Sequence, residues 1–179
     1  MQGNIKGPCA VLLAFAIVAG ATAAKAQEKG LVTIQKLSAR LANELVGETV
    51  AICAQRGHAV VAVVADLDGV RQAMLRGDGA PIHSVDNAFY KAYSVASLTL
   101  ARKEDSTKAV AERMAKAAPT TVPSTPLPNV TYAVGGVALI VDGVTIGGLG
   151  VSGAPGGQLD DDCARAAIAK IQELSLIHI

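Results

Sequence analysis

The chain has 179 residues, is 51% hydrophobic but only 3% aromatic, and carries 16 basic against 15 acidic residues. That length suits one domain. The near-neutral balance excludes the basic footprint of a nucleic-acid-binding protein, and without tryptophan there is little on which unpaired bases could stack.

The chain opens weakly basic at Lys6, followed by the unbroken apolar run Val11 to Ala19. Ala24-Lys25-Ala26 then supplies the small-x-small pattern of a signal-peptidase site. Residues 1–26 are therefore expected to be a cleavable secretory signal peptide, with Gln27 as the mature start. The apolar run is shorter than the roughly 20 residues that span a bilayer. Loss of Lys6 and Lys25 leaves 14 basic residues against 15 acidic ones, about −1 overall. The expected location is periplasmic or secreted, with membrane contact only through the leader before cleavage. Export would put Cys53 and Cys163 in an oxidising compartment, where they could form one disulfide or stay as two buried thiols; the sequence leaves both open.

Leu37 to Arg56 places apolar residues at helical spacing, with Gly57 as a natural stop. His58 to Ala65 reads as a buried strand, Asp66-Leu-Asp-Gly69 as a turn, and Val70 to Arg76 as the returning strand. After the break Gly77 to Pro81, Ser84 is the expected N-cap of a helix over Val85 to Leu100. A further helix is expected from Glu104 to Ala118, capped by Asp105 or Ser106. Pro119 to Pro128 is an irregular, proline-rich loop. Thr131 to Val134, Val137 to Val141 and Val144 to Val151 are strand candidates, the last two joined at Asp142-Gly143. A last helix is expected over Asp160 to Leu174. Ser175 to Ile179 does not continue its pattern and reads as a tail of doubtful origin. The expectation is an α+β domain over residues 27–174, with a mostly antiparallel sheet of about five strands covered by helices.

Two glycine motifs suggest chemistry that their context refuses. Gly148-Leu-Gly-Val-Ser-Gly153 fits a dinucleotide fingerprint, but too little chain follows for a second βαβ half. Ser152 lacks the spacing of a nucleophile elbow. The block reads instead as a strand end where a backbone or a ligand comes close, so Gly150 and Gly153 are candidate binding positions.

His83 is the principal candidate ligand, for a cofactor or directly for a metal. It lies in a turn before a helix start, beside Asp86, where a ring nitrogen can be left free. Tyr90, two turns on, can share its face, and Tyr93 follows. Haem iron takes His, Met, Cys or Tyr, and haem propionates need cations. Arg76 and Lys91 are the candidate cations. Met74 and Met114 are ligand-type residues that read as core filler. No catalytic pair is identifiable, so no catalytic residue is assigned.

Four segments carry a resemblance. They are Val63-Val-Ala-Asp-Leu-Asp-Gly69; Leu75-Arg-Gly-Asp-Gly-Ala80 with His83-Ser and Lys91-Ala-Tyr-Ser94; Gly135-Gly-Val-Ala-Leu-Ile-Val-Asp-Gly143; and Gly147-Gly-Leu-Gly-Val-Ser-Gly-Ala154 with Asp160-Asp-Asp-Cys-Ala164. In this order they resemble the GlcG/HbpS family, the haem-degrading domain family, from about Leu37 to Ile171. The resemblance implies an antiparallel α+β fold, homo-oligomers and haem as ligand, in exported members among others. It transfers no iron ligand to a single residue. Ala138 stands where the family usually has proline, which is a departure at the entry of that strand. Members in glycolate or diol utilisation imply an alternative, an accessory protein binding a small 2-hydroxy acid or a corrinoid.

Overall fold

The computed structural model describes Gly3 and residues 30–102, 104–118 and 125–177, with side chains described to residue 173. The expected leader and its cleavage site, residues 119–124 of the proline-rich loop, and His178 lie outside the described residues. Contacts divide the chain into Met1–Thr33 and Ile34–Ile179, and the domain below is the second unit.

Helix α1 spans Ala39–Gln55. The Ser38 hydroxyl accepts from the Leu41 amide at 3.2 Å, capping the first turn. Ala42, Leu45, Val46, Thr49 and Cys53 recur at helical spacing and are buried. Gly57, with φ of 82°, supplies the left-handed residue that ends the helix.

Strand β1, Val61–Asp66, is buried along its whole length. It therefore reads as a continuous apolar run, covered on both faces. His58 to Val60 were expected within it but precede the ladder. The Asp66 carboxylate accepts from the Asp68 and Val70 amides at 3.1 and 3.0 Å, holding the turn into β2, Arg71–Arg76. Strand β2 is a sheet edge and largely exposed; Met74 on it is 47% exposed, which corrects its reading as core filler.

Helix α2 spans Ser84–Leu98 and helix α3 spans Thr107–Lys116. Ser84 was expected to cap α2. It is instead the first helical residue and fully buried, and His83 holds the cap position without a side-chain capping bond. Of the two candidate caps for α3, Asp105 and Ser106, Ser106 fills the role, accepting from the Ala109 amide at 3.3 Å.

Strands β3, Gly136–Val141, and β4, Val144–Ser152, form a hairpin. Asp142 and Gly143 have φ of 51° and 77°, so both turn residues are left-handed, as a tight hairpin of primed type needs. The sheet order is β2-β1-β4-β3, antiparallel throughout. Among the described residues it has four strands and not about five. Thr131 to Val134 forms no strand, because side chains take its amides: Thr131 donates to Ser94 Oγ at 2.7 Å and Ala133 to Thr131 Oγ1 at 3.2 Å. Helix α4 runs over Gly157–Ile177, starting before Asp160 and passing the expected end at Leu174.

Alternation along the strands builds two cores. Val60, Ala62, Val64, Leu149 and Val151 face α1 and α4. Val61, Val63 and Ala65 face α2, through Ala88, Phe89 and Ala92. Helices α1 and α4 pack side by side, and Cys53 and Cys163 between them form a disulfide with a Cα–Cα distance of 5.6 Å. The structure thus selects the bridge over two free thiols.

Candidate functional site

Glycine determines how α2 meets the sheet. A Cβ on Gly150 would lie 2.0 Å from the Ala88 carbonyl oxygen, and one on Gly148 would lie 2.4 Å from that of Ala92. The helix backbone therefore rests directly on β4. Of the two options for this block, Gly148 and Gly150 serve the approach of a backbone. Gly150 is not among the residues lining the cleft described next.

A cleft of about 770 Å³ opens beside the N-terminal half of α2, within the range of small-molecule sites. One wall is His83, Asn87 and Lys91, one helical turn apart. The loop from Ser152 to Gly157 and the first turn of α4 form the second wall, and Lys108, Ala111 and Glu112 of α3 form the third. Pro81, Ala133, Val134, Ala154 and Pro155 give it apolar surface.

Its floor is a fixed polar network. Lys91 Nζ donates to Asp160 Oδ2 and to the Val151 carbonyl, each at 2.8 Å. Both side chains of the pair are 3% exposed. The Ala154 amide donates to Asp160 Oδ1 at 3.1 Å, and Asn87 Nδ2 donates to Ser152 Oγ at 2.9 Å. Gly135 closes over the pair, since a Cβ there would lie 2.8 Å from Lys91 Nζ. Burial pushes the Asp160 carboxyl above its ordinary value, against the opposing pull of Lys91.

Of the residues singled out in the sequence, His83, Lys91 and Gly153 line this cleft. His83 is exposed and its ring caps nothing. Lys91 is a candidate cation for a bound carboxylate by sequence, but its ammonium is already held by Asp160 and Val151. Tyr90 and Tyr93 lie elsewhere, packed on Phe89 with ring centroids 6.1 and 5.9 Å away, and Arg71 stacks on the Phe89 ring at 3.7 Å. Tyr90 does follow His83 by two turns, but its ring packs on Phe89 and does not line the cleft, although Lys91, one residue further on, does. Arg76 closes its own turn, donating to the Ala80 carbonyl from Nε at 2.9 Å and Nη2 at 2.6 Å.

Sequence reasoning passed over Asn87, Lys108, Glu112 and Asp160 as site residues. Asn87 follows His83 by four residues, a signal that was readable. Lys108 and Glu112 come from a helix whose position only the tertiary fold supplies.

These side chains suit a large cofactor better than a bare ion. No group of three or more His, Cys, Asp or Glu gathers among the described residues. A haem brings its own four nitrogens and asks the protein for axial ligation, an apolar slot and cations for its propionates. The cleft offers His83, the apolar surface of Pro81, Ala133, Val134, Ala154 and Pro155, and Lys108. A second, more apolar cavity of about 590 Å³ lies between α1, α4 and β3, but its Leu, Ile, Val, Asp and Gln lining holds no residue of a type that ligates haem iron.

A family model described as "Haem degrading protein HbpS-like" matches residues 37–169. The crystal structure of HbpS is similar with a TM-score of 0.69 and 31% identity, over 78% of this chain and 93% of that one. A double mutant of HbpS from Streptomyces reticuli gives 0.69 and 30%, over 90% and 97%. A crystal structure of a PduOC:heme complex gives 0.65 and 29%, over 75% and 94%. Comparison with curated proteins gives no match.

Proposed function

This chain belongs to the HbpS-like family, and from that premise we propose that it is an exported haem-binding protein that holds haem in the cleft beside α2. The observation that carries this reading is the setting of His83: an exposed imidazole with no capping duty, on a cleft to which Pro81, Ala133, Val134, Ala154 and Pro155 give apolar surface. In this reading His83 would hold the haem iron. Asn87 and the Ser152-to-Gly157 loop would border the haem, and the Lys91–Asp160 pair holds that loop against α2. Bound haem would supply the iron and its redox chemistry. The protein's own part is to bind the group, orient it and shield it from water. Support for haem as the ligand is that a relative of 29% identity is a haem complex by its description. Export rests on the leader pattern of residues 1–26, and assembly into homo-oligomers on the family resemblance.

The test is a haem titration of the protein from Gln27 onward, followed by visible absorption, beside His83→Ala. A saturable Soret shift lost in the variant is the expected result. A shift kept in the variant would move the ligand away from His83. No shift with either protein would overturn haem binding and favour a small carboxylate, which a thermal-shift series with glycolate and related 2-hydroxy acids would detect.

A further inference from the structure

The cleft is lined by five ionisable side chains: His83, Lys91, Asp160, Lys108 and Glu112. Two of them cancel. Lys91 and Asp160 are buried and bonded to each other, so they present no net charge to a ligand. Nearby cations are also engaged. Arg113 donates from Nε and Nη2 to the two Glu104 carboxylate oxygens, at 2.7 and 3.1 Å, and Arg76 is folded onto Ala80. Lys108 differs: it lies in the first turn of α3, exposed, on the wall across from α2. Glu112, one turn along the same helix, faces the same cleft with the opposite charge.

We propose that Lys108 is the carboxylate anchor of this site and that Glu112 limits it to one carboxylate. An apolar macrocycle ligated at His83 would extend from α2 towards α3 and bring an acidic edge to the Lys108 ammonium. Glu112 repels a second acid group at that wall. The site therefore selects for a tetrapyrrole whose side-chain acids are free. This inference rests on the haem reading above.

The test compares ferric protoporphyrin IX with its dimethyl ester, which keeps the iron and the ring but loses both carboxylates. Wild type, Lys108→Ala and Glu112→Gln are titrated with each under matched solvent conditions. Wild type is expected to favour the free acid. Lys108→Ala is expected to weaken the free acid by up to roughly fivefold, the upper end for an exposed ion pair, and to leave the ester unchanged. Glu112→Gln is expected to tighten the free acid by a similar factor. Both side chains are exposed, so the variants should keep the wild-type melting temperature. If wild type binds both forms equally, or Lys108→Ala keeps the preference, the anchor is overturned while haem binding stands. If wild type binds neither form, the haem reading fails and the anchor falls with it.

Discussion

Lys91 on α2 and Asp160 on α4 meet at 2.8 Å with 3% of each side chain exposed, joining the two helices that flank the cleft from opposite faces of the sheet. A buried pair of this kind is sensitive to losing one partner. Removing one charge strands the other in a low-dielectric site, whereas replacing both with apolar groups can be neutral. Lys91→Met should destabilise the domain by about 3–5 kcal/mol, and Lys91→Met with Asp160→Leu should recover much of that loss. Urea midpoints of the single and double variants check this. A single variant with the wild-type midpoint would refute the coupling.

Two aspartates should give stability slopes of opposite sign with pH. Asp160 is raised above 3.8, chiefly by burial. The folded protein therefore holds its proton where the unfolded chain has lost it. Its contribution is complete below 3.8 and is lost as pH rises through the folded value. Asp105 is lowered from 3.8, chiefly by its hydrogen bond from Arg165. Its contribution is present above 3.8 and is lost as pH falls through the folded value. Asp105 is half-exposed, so its slope should be shallow and should flatten further in salt. Unfolding free energies of wild type, Asp105→Asn and Asp160→Asn from pH 3 to 6 separate the two; matching slopes would contradict the assignment.

Glycine substitutions should divide by location. Gly150→Ala forces a methyl to within 2.0 Å of the Ala88 carbonyl, so α2 must lift from β4, at a cost of about 3 kcal/mol or more. Gly47 in the middle of α1 has open space where a methyl would go, with nothing within 4 Å, so Gly47→Ala should stabilise by about 0.5–1 kcal/mol. Thermal denaturation of both variants tests the contrast.

The Cys53–Cys163 bridge closes a loop of 110 residues between α1 and α4. On the chain-entropy account a loop near that length is worth about 4 to 5 kcal/mol, and typical measured values are about 2–4. The paired substitution Cys53→Ala with Cys163→Ala should lower the melting temperature by several degrees or more. Added reductant should have no further effect on that variant. A wild-type melting temperature in the variant would mean the two thiols are not bridged in solution.

Local order was legible in the sequence where the signal was local. The apolar stripe of α1, the Asp66-to-Gly69 turn, the Asp142-Gly143 hairpin and the Ser106 cap all rest on contacts within a few residues. Thr131 to Val134 had strand composition but lost its ladder to Ser94, a partner 37 residues away in sequence. Ser84 had cap chemistry, but packing drew it into the buried side of α2.

The sequence by itself determined the order of elements, the antiparallel hairpins, the family resemblance and His83 as a residue to test, because spacing, turn chemistry and motif order are written along the chain. Only the tertiary structure decided that Lys91 is held by Asp160, that Tyr90 and Tyr93 pack on Phe89 away from the cleft, that Lys108 and His83 line the same cleft, and that the cysteines pair. The pairings and the cleft depend on side chains brought together by the packing of α1, α2, α3 and α4 around one sheet, and the packing of α2 on that sheet turns its tyrosines away from the cleft. The position of a charge along a chain does not reveal what will neutralise it.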